Sequence, residues 1–151
     1  MLDNTTFKTV LQHTPLVSID LLVKNKQGEY LLGMRTNRPA QGYWFVPGGR
    51  IFKNERMDDA FLRLTQGELG IQVPRQQATF LGAFEHLYED SAMDAAISTH
   101  YVVLGYEIAL DIELAELPQE QHAQYTWMSE SALLASESVH LHTKQYFLLN
   151  K

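Results

Sequence analysis

The chain has 151 residues, with 12 Lys and Arg against 18 Asp and Glu, a net charge of −6. That length fits a single domain over residues 1–151, and 45% hydrophobic residues can fill its core. Zero cysteines exclude a disulfide framework, a thiolate metal site and a cysteine nucleophile, and suit a reducing, cytoplasmic setting. The acidic balance argues against a nucleic-acid backbone as principal ligand. No run approaches the roughly 18 apolar residues of a membrane span, so neither a span nor a signal peptide is expected.

Thr5 to His13 has weak helical spacing. Val17 to Val23 and Tyr30 to Arg35 read as strands, and the turn chemistry of Asn25-Lys26-Gln27-Gly28 between them predicts a hairpin. A polar, proline-containing loop, Thr36 to Gly42, leads into the short apolar run Tyr43 to Val46, which Pro47-Gly48-Gly49 stops. Trp44 and Phe45 in that run read as core residues rather than as a base-stacking platform. Met57 to Leu69 carries apolar residues at helical spacing, entered by Glu55, Asp58 and Asp59 and closed by Gly70. Phe80 to Tyr88 and His100 to Leu110 are strand candidates, joined by a polar loop able to lie over a ligand. After a second polar loop, Gln119 to Gln124, a short strand is expected over Tyr125 to Met128. Ser129 can cap a brief helix from Glu130 to Leu134, and Lys144 to Leu149 can form a terminal one. Strands with two or three packed helices make an α+β domain of the α/β/α sandwich type.

The segment from Gly48 to Ile71 carries the chemistry. Pro-Gly-Gly at the end of a strand lets backbone approach a ligand and frees carbonyls for a hard cation. Glu55 lies six residues after Gly49, Arg63 lies eight after Glu55, and Glu68-Leu69-Gly70-Ile71 ends the pattern. This spacing resembles the Nudix box, G-x5-E-x7-R-E-U-x-E-E-x-G-U, at Gly49, Glu55, Arg63, Glu68, Gly70 and Ile71. It departs at Leu64, Thr65 and Gly67. At 100° per residue, positions 64, 67 and 68 share one narrow helical arc. Ordinary Nudix enzymes place magnesium-binding carboxylates on that arc, and here only Glu68 remains.

The segments TPLVSIDLLV, LLGMRTNRPAQGYWFVPGGR, RLTQGELG, THYVVLGY and LPQEQHAQYTWM together resemble the GDP-mannose mannosyl hydrolase branch of Nudix proteins. The likeness runs from about Thr14 to about Phe147. It implies a Nudix fold, a mixed sheet with flanking helices, that hydrolyses a GDP-sugar to GDP and free sugar at the anomeric carbon. It further implies one Mg²⁺ per subunit, held by the carbonyl of Gly48 (or Gly49), by Glu68 and by Gln121. His122 is implied as general base, a role suited to an imidazole near neutrality.

The same resemblance implies that Arg35, Arg50 and Arg63 handle phosphate, with Arg63 equally placed to be an ion-pair partner of Glu55. It makes Tyr101 a leaving-group contact, and Asp20 and His86 sugar contacts. From alternation alone, Asp20 can equally lie on a solvated strand face. Leu2 and Phe7 match a segment that approaches the guanine across a dimer interface, so a homodimer is expected. His140 and His142 read as surface residues. Two other functions compete: a Nudix pyrophosphatase giving GMP and sugar 1-phosphate, and a nucleotide-sugar sensor without turnover.

Overall fold

The computed structural model describes residues 2–118 and 124–148. Helix α1 (Asn4–His13) is capped by Asp3, whose carboxylate accepts the Thr6 N–H at 2.7 Å. Strands β1 (Leu16–Lys24) and β2 (Glu29–Met34) follow, then the short β3 (Trp44–Phe45) and β4 (Gly48–Arg50). Helix α2 (Met57–Leu69) precedes the long strands β5 (Thr79–Tyr88) and β6 (Thr99–Ala109). Strand β7 (Tyr125–Ser129) leads into α3 (Glu130–Ala135), and α4 (Leu141–Leu148) ends the described chain.

These elements follow the expected order closely. The β1–β2 turn forms because the Asn25 side chain accepts the Glu29 N–H at 2.9 Å, while Gly28 takes φ +80°. Helix α2 has the bounds that its spacing predicts, and Gly70 ends it at φ +77° with its N–H on the Gln66 carbonyl. Ser129 caps α3 through the Ala132 N–H. The terminal helix begins three residues before the expected Lys144, at Leu141, where the Lys144 N–H already reaches the His140 carbonyl.

The sheet is mixed, in the order β3-β2-β1-β6-β5, with β4 paired to β1 and β7 to β2. Strand β1 runs parallel to β6 from Leu16↔Tyr101 to Lys24↔Ala109 and antiparallel to β4 at Asp20↔Gly48. Successive side chains leave opposite faces of a strand. One face, with Ile19, Leu21, Val23 and Leu31, packs on Ala60, Phe61, Leu64 and Leu69 of α2. The other, with Leu22, Tyr30 and Leu32, packs on Leu133 of α3 and on Tyr146 and Phe147 of α4. The result is the expected α/β/α layering. Phe45 is in the second core and Trp44 packs against it.

Phe61 is fully buried between α2 and the sheet, its ring edge-on to Tyr106 at 5.1 Å. Phe61→Ala therefore leaves a cavity in a close-packed layer. Urea unfolding should show a loss of about 3–5 kcal/mol.

Candidate functional site

The face of β1 opposite α2 changes character along its length. Leu22 is core, but Asp20 and Ser18, on the same side, line a cavity of about 270 Å³. Strand β6 adds Tyr101, and β5 adds His86, which pairs across the ladder with Tyr101, and Tyr88 two residues on. Gly48, Gly49 and Arg50 of β4, Glu68 of α2, and Arg35 and Pro39 complete the polar wall, beside Phe45 and Val46.

Gly48 fixes the geometry of this wall. A Cβ there would lie 2.3 Å from the Ile19 carbonyl oxygen and 2.7 Å from Asp20 Oδ1. Strand β4 can approach β1 only without a side chain. Its N–H is then met from the opposite side by Glu68 Oε1 at 3.1 Å. Gly49 gives the same close approach to α2, since a Cβ there would be 2.6 Å from Leu64 Cδ2.

The three arginines differ. Arg35 follows β2, and its Nε donates to the Pro39 carbonyl at 2.8 Å, while the Gly42 N–H returns to the Arg35 carbonyl at 2.8 Å. The loop thus holds the guanidinium against the cavity. Arg50 stacks over the Phe7 ring at 4.4 Å, so α1 bears on the same wall. Arg63 does not line the cavity. It forms a two-pronged ion pair with Glu55, at 2.7 and 2.9 Å, and donates to the Arg50 carbonyl at 2.7 Å. Of the two roles open to Arg63, the structure displays the ion pair. The neighbouring hollow of about 310 Å³ contains Arg63, Leu64, Gly67 and Glu68.

Asp20 is buried rather than on a solvated face, and burial pushes its carboxyl up to about 7, against the pull of Tyr146 and Arg35. His86, 2% exposed, is lowered to about 3 by burial and by His142 and His140. Burial also raises the Tyr88 and Tyr101 hydroxyls, so both remain protonated donors. The surface reading of His140 and His142 is corrected. Their rings are half-buried in an aromatic stack, His142 lying parallel to His86 at 4.5 Å and His140 tilted on Tyr88 at 5.4 Å. Burial lowers His140 to about 4. Helix α4 starts early and draws both rings inward.

Six of the expected residues, Asp20, Arg35, Arg50, Glu68, His86 and Tyr101, line this one cavity with Gly48. Leu2 is exposed and Phe7 half-buried. Gln121 and His122 lie outside the described residues. Ser18 and Tyr88 went unremarked in the sequence, although each stands two residues from an expected contact on the same strand face. Tyr146, bonded to Asp20, had no local signal.

A family model described as NUDIX domain matches residues 14–148. The chain belongs to the Nudix family. It is similar to the low-salt glycan biosynthesis protein Agl8 of Haloferax volcanii, 42% identical over 78% of this chain and 73% of that protein. The fold is similar to that of a MutT protein from Methanosarcina mazei, with TM-score 0.72, 20% identity, and 91% and 94% of the two chains covered. A MutT Nudix hydrolase from Burkholderia pseudomallei gives TM-score 0.70 and 24% identity, over 90% and 98%.

The Nudix helix is α2, and two of its three departures from the box, Leu64 and Gly67, differ physically. Leu64 is 6% exposed and packs in the α2 core layer, whereas Gly67 is exposed and a Cβ there meets nothing within 4 Å. Among the described residues no group of three or more His, Asp or Glu side chains is placed to hold a metal ion. Glu68 Oε1, on the Gly48 N–H, and Asp20 Oδ1 both stand beside Gly48, carboxyl oxygens of the kind that a hard divalent cation takes.

Gly67→Glu should fit and raise stability by about 0.5 kcal/mol through helix propensity. Leu64→Glu buries a charge against apolar neighbours and should cost at least about 2 kcal/mol. Thermal melts of the two variants should therefore move in opposite directions.

The pH dependence of stability follows from the buried groups. His86 and His140, lowered from 6.5, contribute stability present above pH 6.5 and lost as pH falls toward 4 and 3. Asp20, raised from 3.8, contributes stability present below pH 3.8 and lost as pH rises through 7. Between pH 4 and 6.5 two groups oppose one, so urea midpoints should fall as pH is lowered. His140→Phe should make that fall shallower.

Proposed function

We propose that the chain is a Mg²⁺-dependent hydrolase of GDP-mannose, and of related GDP-hexoses, which yields GDP and free sugar by substitution at the anomeric carbon. The observation that carries this reading is that groups suited to anionic oxygens and groups suited to hydroxyls line one cavity. Arg35, Arg50 and the Tyr101 hydroxyl would take the oxygens of a diphosphate, and the buried Asp20 carboxyl and the His86 imidazole, lowered to about 3, would take hydroxyls. The loss of carboxylates at positions 64 and 67 supports it further, because attack on a phosphoanhydride in this family relies on them. A relative named for glycan biosynthesis supports a sugar-bearing substrate.

In this reading Arg35, Arg50 and the Tyr101 hydroxyl hold the diphosphate in fixed geometry and accept its growing charge as the glycosidic bond breaks. Glu68, the Gly48 carbonyl and Gln121 would hold the cation. When bound, Mg²⁺ neutralises diphosphate charge and makes GDP a better leaving group. Asp20 and His86 orient the hexose. His122 takes a proton from a water that attacks the anomeric carbon on the face opposite GDP. Leu2 and Phe7 belong to the guanine end of the site in a homodimer, and the protein works in the cytoplasm on this small substrate, without nucleic acid or membrane.

In ¹⁸O-water the label should enter the sugar C1 oxygen and no phosphate. Proton NMR before mutarotation should show β-mannose, since an α-linkage displaced from the opposite face inverts. Label on phosphate with GMP as product would establish the pyrophosphatase instead, and binding without turnover would establish the sensor. His122→Gln should lower kcat by roughly 10²–10⁴ while Mg²⁺ affinity changes little.

A further inference from the structure

Tyr146 stands directly behind the cavity and does not line it. It comes from α4, is 1% exposed, and donates its hydroxyl proton to Asp20 Oδ2 at 2.5 Å. The same hydroxyl lies 3.4 Å from His86 Nε2. One buried group thus touches both cavity residues that the functional reading assigns to the hexose, on strands that are not neighbours in the sheet.

The fold makes room for this contact. Gly105, which pairs with Asp20 on the adjacent strand, sits where a Cβ would be 2.9 Å from Tyr146 Cε1. The ring is held edge-on by Phe84 at 4.6 Å. Burial and the neighbouring Asp20 carboxyl raise the phenol well above its ordinary range, so the hydroxyl serves as a donor and not as a base. With Oδ2 engaged from behind, the Asp20 carboxyl is fixed in rotation, and Oδ1 stays on the Gly48 side of the wall.

We propose that Tyr146 is a positioning residue for sugar recognition: it fixes Asp20 and His86 so that the cavity grips the hexose hydroxyls of a GDP-sugar. The proposal rests on the functional reading above. It predicts a division within one substrate, because Tyr146 acts on the hexose end and leaves the diphosphate end untouched.

The test is a double-mutant cycle of Tyr146→Phe and Asp20→Asn, with steady-state kinetics on GDP-mannose and calorimetric binding of GDP alone. Tyr146→Phe keeps the ring and removes the hydroxyl. It should raise KM for GDP-mannose roughly 10- to 100-fold, the worth of one hydrogen bond to a charged group, with a smaller change in kcat. GDP affinity should stay within about 2-fold of wild type, and in the Asp20→Asn background the added KM effect should shrink below about 3-fold. Equal losses for GDP and GDP-mannose, or full additivity with Asp20→Asn, would overturn the proposal, as would an unchanged KM. Should Tyr146→Phe fail to fold, Gly105→Ala displaces the ring with its hydroxyl intact and should raise KM alone; an unchanged KM there also overturns it. Wild-type protein that neither binds nor cleaves GDP-mannose would overturn the functional reading itself, a result distinct from all of these.

Discussion

No side chain fits at residue 48, and the site depends on that constraint. Strand β4 lies so close to β1 that a single methyl would strike the Ile19 carbonyl and the Asp20 carboxyl together. The adjoining Gly49 admits Leu64, which seats α2 on the sheet. The helix in turn delivers Glu68 to the Gly48 N–H. Two glycines thereby set the spacing of a helix, a strand pair and two carboxyl groups at once. Arg50, the next residue, leaves β4 at the cavity and meets Phe7 of α1 on its outer side. Packing and chemistry at this point share the same atoms.

Strand parity separates the core from the chemistry. On β1 the odd residues Ile19, Leu21 and Val23 face α2 and are wholly buried hydrocarbon. Among the even residues, Ser18 and Asp20 are polar and line the cavity, and Leu22 beyond them is core. Burying Asp20 makes its charged form costly, which is why its carboxyl rises while the nearby imidazoles fall. Arg35 and Arg50 stand in the same wall, so an anion that enters the cavity meets two guanidiniums.

The sequence made local order legible and left distant contacts hidden. Helix α2 was readable to the residue, because its apolar period, its acidic first turn and Gly70 agree. The β1–β2 turn was readable for the same reason. Helix α4 starts earlier than its apolar pattern suggests, since its first turn holds Leu141 and His142, and His142, like His140 just before it, stacks on β5. Tyr146 was invisible: its partner Asp20 is 126 residues away, and a tyrosine in a short apolar helix reads as packing. The cavity residues were visible through family likeness, and parity alone would have added Tyr88 to His86.

The departures at 64 and 67 on the Nudix helix show how one helical arc can change use. At position 67 the chain carries the least possible, a glycine facing open space, and nothing in the fold depends on it. At position 64 it carries a leucine that fills the interface with β4. A carboxylate at 64 would compete with the contact that seats the helix, so metal binding and packing cannot both occupy that position. Glu68 escapes the conflict because it points along the backbone of Gly48 instead of into the core. Of the arc, Glu68 alone keeps a carboxylate, while Leu64 serves packing and Gly67 faces open space. The polar groups available to a substrate lie instead on the far side of Gly48, along Asp20, Arg35, Arg50, His86 and Tyr101. Guanidiniums, a phenol, a carboxyl and an imidazole stand together there, so the wall offers partners for anionic oxygens and for hydroxyls alike.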